Sequence, residues 1–256
     1  MAIVGVLHPG EMGSAVGAAL AAGGHRVAWA SEGRSAQTVE RAAAAGMDDL
    51  GDVAALLARA EVVLSICPPH AALEVAALAA GFDGVYVDAN AVSPQTAREA
   101  RALVGGRFVD GGIIGPPPTT PGATRLYLSG HDAAAVAALF AGGPLQAIVI
   151  DGEVGAASAL KMVYAAWTKG TAALLVALRA VARANGVDDA LLAEWARSQP
   201  SLPDRAARAA ASTAGKAWRW EAEMREIAAT FDAAGQPDGF HLAAAEVFAD
   251  AVRASR

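Results

Sequence analysis

Along the first 150 positions, short apolar runs alternate with amphipathic stretches, and after Asp151 the apolar runs largely stop. "AIVGVL", "EVVLSICPP", "GVYVDAN" and "RFVDGGIIG" are continuous apolar segments, the pattern of strands covered on both faces. "HRVAWAS" reads as a further strand, and "RLYLSG" and "AIVI" close the series. Between them "SAVGAALAAGG" reads as a helix stopped at Gly23–Gly24, and "AQTVERAAAAG" and "SPQTAREARALV" as two more. Strands alternating with helices predict a parallel, doubly wound sheet. Beyond Asp151 the spacing of Leu160, Val163, Tyr164, Trp167, Leu174, Leu175, Leu178 and Val181 predicts one long helix over 155–185. Shorter helices follow, with "SQPSLPDR" as a connection between two of them. The expectation is an α/β protein, with a Rossmann-type doubly wound sheet over residues 1–153 and a smaller all-α domain over 154–256.

Charge and composition narrow the partners. The chain of 256 residues carries a formal net charge of -6 and no basic run, which argues against a nucleic-acid partner. One cysteine, Cys67, leaves no disulfide framework and no cysteine-rich metal site. No His/Asp/Glu spacing points to a metal. No stretch approaches the roughly 18 uninterrupted apolar residues of a membrane span, and Glu11 follows the first strand-like run where a secretory leader would stay apolar. A cytoplasmic protein acting on a small molecule, with no membrane partner, is expected.

The candidate chemistry begins at "GVLHPGEMG". A dinucleotide-binding turn needs a tight bend after the first strand, a backbone open to the pyrophosphate, and close packing of helix on strand. His8, Gly10 and Gly13 occupy the three key positions, with histidine in place of the first glycine. Pro9, Glu11 and Met12 fill the turn, and the following helix would point its unpaired N–H groups at a phosphate. His8 either touches the cofactor or only fits the bend. After the second strand comes "WASEGRS". Glu32 would serve the ribose hydroxyls of NAD, whereas Ser31, Arg34 and Ser35 offer a guanidinium and two hydroxyls to a 2′-phosphate. The segment favours NADP(H) over NAD(H).

Several blocks then fall in one order. "GVLHPGEMGSAVGAAL", "VVLSICPP", "VYVDANAVSPQTA", "FVDGGIIGPPP" and "GAASALKMVYAAW" together resemble the β-hydroxyacid dehydrogenase superfamily, which includes 6-phosphogluconate dehydrogenase and has imine reductases as relatives. The blocks span about the first 185 residues. The tail "WRWEAEMREIAATFDAAGQPDGFH" resembles a short C-terminal domain of some 6-phosphogluconate-dehydrogenase-like proteins. The resemblance implies hydride transfer between a nicotinamide cofactor and a hydroxy or keto substrate, with Lys161 as the proton-transferring lysine of the interdomain helix. Such a lysine needs a pKa lowered toward neutrality to exchange its proton.

Tyr164 and Thr168 share the helix face of Lys161, one and two turns on. Tyr164 either supports the lysine, or donates a proton itself, or is a core aromatic. The resemblance places Cys67, Pro68 and Pro69 beside the cofactor, and Ile114 and Gly115 toward substrate. Asn90 would bond the nicotinamide ribose or the substrate, Thr168 joins the substrate side by its shared helix face, and His241 either reaches the active site or packs at a helix start. His70 reads as a helix-start residue. The chain departs from the family at Ile114, where the family has a serine, and at Ala165, where it has an asparagine; Asn90 and Ala91 replace its Ser-Thr. Losing two polar contacts disfavours a small polar hydroxy acid and opens two alternatives: an imine reductase, or a nucleotide-binding regulatory or scaffold protein without catalysis. The apolar stripe of the long helix predicts a homodimer through the helical domain.

Overall fold

The computed structural model of the chain describes residues 2–254. It places eight strands in one sheet: β1 (Ile3–Val6), β2 (Arg26–Trp29), β3 (Asp48–Asp49), β4 (Val62–Ser65), β5 (Val85–Asp88), β6 (Arg107–Ile114), β7 (Thr124–Ser129) and β8 (Leu145–Val149). Their spatial order is β3-β2-β1-β4-β5-β6-β7-β8. Six helices join them: α1 (Glu11–Ala22), α2 (Ala36–Ala44), α3 (Val53–Leu57), α4 (Ala72–Leu78), α5 (Pro94–Val104) and α6 (Ala133–Ala138).

Alternate residues of each strand feed two different cores. Val4 and Val6 of β1, Val27 and Trp29 of β2, Leu64 of β4, Val85 and Val87 of β5 and Val109 of β6 pack on one face. Leu7, Ala28, Val63, Tyr86 and Phe108 pack on the other. Period-two side chains buried on both sides read as unbroken apolar runs, which is why the strands were visible in the sequence.

The sheet departs from a wholly parallel one at a single pairing. β6 and β7 are antiparallel, with Asp110 opposite Ser129, and β8 then runs parallel to β7. Their link, residues 115–123, is a proline-rich loop with no helix, too short for the crossover a parallel pair requires. β3 and α3 were not foreseen, because two and five residues carry no periodicity.

By its contacts the chain divides into two compact units, Met1–Lys161 and Met162–Arg256. A helix of 29 residues, α7 (Ala156–Ala184), starts in the first unit. Its start is held by Asp110, which is fully buried. Asp110 Oδ2 accepts from the backbone N–H groups of Gly155 and Ser158, both at 2.9 Å, and Oδ1 accepts from the Ser158 hydroxyl at 2.5 Å. The Ser129 hydroxyl lies 3.1 Å from the same Oδ2 and accepts from Ala157 N–H at 3.1 Å. A buried carboxylate is tolerable here because several donors and the positive end of a helix surround it.

The second unit is helical: the remainder of α7, then α8 (Asp188–Ser198), α9 (Leu202–Ala233) and α10 (Gly239–Ala254). Where the sequence reading expected several shorter helices, α9 runs unbroken for 32 residues. Pro203 lies in its first turn, where a missing N–H costs nothing. Arg179 Nε and Nη2 grip both oxygens of Asp188 at 2.5 and 2.7 Å, fixing α8 to α7. Leu175, Trp195, Ala206 and Ala209 form the core among α7, α8 and α9.

Replacing Asp110 by Ala strands the N–H groups of Gly155 and Ser158 and the Ser158 hydroxyl, while the Ser129 hydroxyl keeps the Glu153 carbonyl. Urea unfolding should show a loss of about 3 kcal/mol or more. A loss below about 1 kcal/mol would mean that this carboxylate does not hold α7.

Candidate functional site: a sheet edge with an open helix N-terminus

β1, β4, β5 and β6 run parallel and adjacent, so the segments after them lie along one edge of the sheet. These are His8–Gly13, Cys67–Pro69, Asn90 and Gly115. The chain leaves β1 in both directions, to β2 on one side and β4 on the other, and α/β sheets bind ligands at such a reversal.

The first of these segments is built to lay a helix start close to a strand end. Gly10 N–H donates to the His8 carbonyl at 2.8 Å. A Cβ on Gly13 would stand 2.2 Å from that same carbonyl oxygen, so only glycine fits. A Cβ on Gly10 would meet nothing within 4 Å. No side chain caps α1 at Gly10, so its first-turn N–H groups have no side-chain acceptor there. Pro9 is buried, Met12 packs partly against the core, and the Glu11 side chain is exposed.

His8 and Arg34 meet beside this turn. Burial, helped by the Arg34 charge, lowers the His8 pKa to about 4, so its imidazole is neutral near pH 7. His8 Nδ1 and Arg34 Nε are both buried without a hydrogen-bond partner. The neighbouring hydroxyls are already engaged. Ser35 caps α2, accepting from Thr38 N–H at 3.3 Å, and Ser31 bonds Asp49, whose carboxyl is held low chiefly by Gly51 N–H and also by that serine. Glu32 is exposed. Of the polar groups expected at the end of β2, Arg34 is the one with an unmet donor.

Asn90 ties strand ends together. Its Oδ1 accepts from Cys67 N–H at 2.6 Å, and its Nδ2 donates to the Ser65 hydroxyl at 2.9 Å. The side chain thus links the ends of β4 and β5 beneath the edge. Burial pushes the Cys67 thiol up to about 12, which makes it a poor nucleophile. Pro68 and Pro69 open a short 3₁₀ turn over Pro69–Ala71 that leads into α4, with His70 inside it.

Lys161 lies against β6. A Cβ on Gly112 would come within 2.9 Å of the Lys161 Cβ and of the Ala157 carbonyl, so the glycine lets α7 sit directly on the strand. Ile114 is buried at the end of β6. Gly115 has φ 128°, and a side chain there would strike the Ala123 carbonyl at 2.4 Å. The first unit therefore gathers the turn, Arg34, the Cys67–Asn90 strut, Ile114, Gly115 and Lys161 into one body.

The other candidates belong to the second unit. Tyr164 is 45% exposed, so it is no core aromatic in this chain. The Thr168 hydroxyl bonds the backbone, 3.3 Å from the Ala165 carbonyl and 3.4 Å from that of Tyr164. His241 packs on Phe231 with ring centroids 4.2 Å apart, and its pKa is lowered by burial against the opposing pull of Asp238. The sequence reading missed Asp110, Gly112, Ser129 and Ser158. "VDGG" was the one available signal, an acidic residue inside an apolar strand followed by two glycines.

The described residues contain no cluster of His, Cys, Asp and Glu able to hold a metal, and no helix long and apolar enough to cross a membrane. The His8 environment makes a testable claim. Its folded pKa of about 4 lies below the ordinary 6.5, so the unfolded chain binds the proton more tightly. Stability is therefore full above about 6.5 and declines as pH falls toward about 4. His8→Gln should flatten that limb in unfolding measured from pH 7 to 4; an unchanged limb would place its origin elsewhere.

Residues 182–251 match the domain of unknown function DUF1932. An uncharacterised 28.5 kDa protein of Methanothermus fervidus is 34% identical over 164 residues, covering 63% of each chain. The match thus spans under two thirds of that relative. Among solved structures, a conserved protein of unknown function described as structurally similar to 3-hydroxyacid dehydrogenases is 28% identical, with a TM-score of 0.72 and 99% of each chain covered. A 3-hydroxyisobutyrate dehydrogenase of Mycobacterium tuberculosis shares the fold at 20% identity and TM-score 0.64, covering 98% of this chain and 93% of that one. So does a reductive aminase of Aspergillus terreus in complex with NADPH, at 19% identity and TM-score 0.61, covering 100% of this chain and 95% of that one. In its fold the chain is similar to proteins described as structurally similar to 3-hydroxyacid dehydrogenases, and the DUF1932 match covers most of its helical C-terminal part.

Proposed function

We propose that the chain is an oxidoreductase that binds a nicotinamide dinucleotide along the sheet edge and prefers NADP(H). The observation that carries this reading is the uncapped α1 N-terminus under Gly10, flanked by an Arg34 guanidinium with a buried unmet donor. The α1 N–H groups would take the pyrophosphate, and Arg34 the 2′-phosphate. Ser31 and Ser35 add little while their hydroxyls serve Asp49 and α2. The reductive aminase that shares this fold is described with NADPH, which supports the same cofactor class.

The bound nicotinamide supplies or accepts a hydride. Lys161, lying on β6 at the same edge, would hold or release the proton at the substrate oxygen, and Tyr164 follows it one turn along α7. The buried Ile114 side chain borders this edge with no hydrogen-bonding group for a substrate carboxylate. That observation favours a larger, less polar carbonyl over a small hydroxy acid, and gives weight to imine reduction as the second reading. A form that binds NADP without turnover is the third. The exposed stripe of Val163, Trp167 and Val181 on α7 supports a homodimer through the helical unit, and we place the protein in the cytoplasm.

Arg34→Gln should raise the Kd for NADPH about 10- to 100-fold and that for NADH less than about threefold, measured by fluorescence titration. Equal losses for both would remove Arg34 from the 2′-phosphate. Lys161→Ala should lower kcat on an accepted carbonyl by roughly 10²–10⁴ while leaving the NADPH Kd nearly unchanged. Unchanged turnover would refute the proton role.

A further inference from the structure

The second unit has a cleft of its own between α7 and α9, with a volume of about 500 Å³. Three cations line it: Lys169, Arg205 and Arg208. Only Lys169 has an acidic partner, Glu223, at 2.8 Å and with both side chains nearly buried. Among the described residues no carboxylate lies within ion-pair distance of Arg205 or Arg208. A protein of net charge -6 thus places two guanidinium groups without an ion pair in one concave place.

The cleft is also ordered and partly apolar. The Arg205 guanidinium carbon sits 5.8 Å from the centroid of the Trp167 ring, a cation–π distance that holds its fork in position. Leu175 and Trp220 form apolar wall. Trp220 is braced by an edge-to-face contact with Phe248, centroids 5.2 Å apart. Arg205 held against Trp167, the exposed Arg208 beside it and the braced Trp220 match a small molecule with an anionic head and an apolar body.

We propose that this cleft binds an amphiphilic organic anion, with its carboxylate or phosphate on Arg205 and Arg208 and its apolar body along Leu175 and Trp220. Every residue involved lies in the helical unit, so the site does not depend on the nicotinamide reading.

The test is a titration of the full chain without nucleotide, followed by tryptophan fluorescence and calorimetry. Octanoate and octyl phosphate represent the two head groups; octan-1-ol lacks the charge and inorganic phosphate lacks the apolar body. Saturable binding of either amphiphilic anion, at least about tenfold tighter than both controls, is expected. Arg205→Gln and Arg208→Gln should each weaken it about tenfold or more, whereas Arg205→Lys should keep part of it. Circular dichroism confirms the fold of each variant, and an unchanged NADPH titration of the double Gln variant separates this site from the sheet edge. Equal binding of octan-1-ol, unchanged affinity in both Gln variants, or no saturable binding of either anion would overturn the proposal.

Discussion

A single buried carboxylate decides where the long helix α7 begins and so where Lys161 lies. Asp110 sits inside β6, and its oxygens receive the start of α7 through Gly155 and Ser158. Without that anchor, no feature of β6 would require a helix to begin here. With it, Lys161 comes about one and two-thirds turns after Gly155, against the bare backbone of Gly112. The antiparallel turn from β6 to β7 belongs to the same device, because it brings Ser129 opposite Asp110. Charge burial, sheet topology and the position of one lysine are therefore one constraint seen at three scales.

The opposite end of the sheet edge rests on sterics. Gly13 is demanded by the His8 carbonyl at 2.2 Å, while Gly10 faces open space. Gly13 secures packing and Gly10 leaves an approach for a ligand. His8 then fills a place that a glycine would leave empty, and its desolvated ring stays neutral beside Arg34. A neutral imidazole leaves Arg34 as the one cation of this pair.

Much of this was legible in the residues. Strands covered on both faces cannot hide, so "AIVGVL" and "GVYVDAN" were evident as runs, and the "HPGEMG" spacing located the turn. Lys161 was reachable through the ordered blocks around it. What stayed hidden was long-range. The partners of Asp110 lie 19 to 48 residues away, and no local period encodes such a meeting. The same reason concealed the engagement of Ser31 with Asp49, whereas the cap that Ser35 gives α2 is local. The cleft in the helical unit was invisible for another reason: Arg205 and Arg208 look like an ordinary solvated helix face until α7 is packed beside them.

The central claim is that the edge between β1 and β4 is a nicotinamide dinucleotide site tuned to a 2′-phosphate. Calorimetric titration of the full chain with NADPH, and separately with NADH, tests it most directly. The account predicts one saturable NADPH site per chain, with NADH at least about tenfold weaker. Binding of neither nucleotide would contradict the account at its root, and equal binding of both would contradict the part assigned to Arg34.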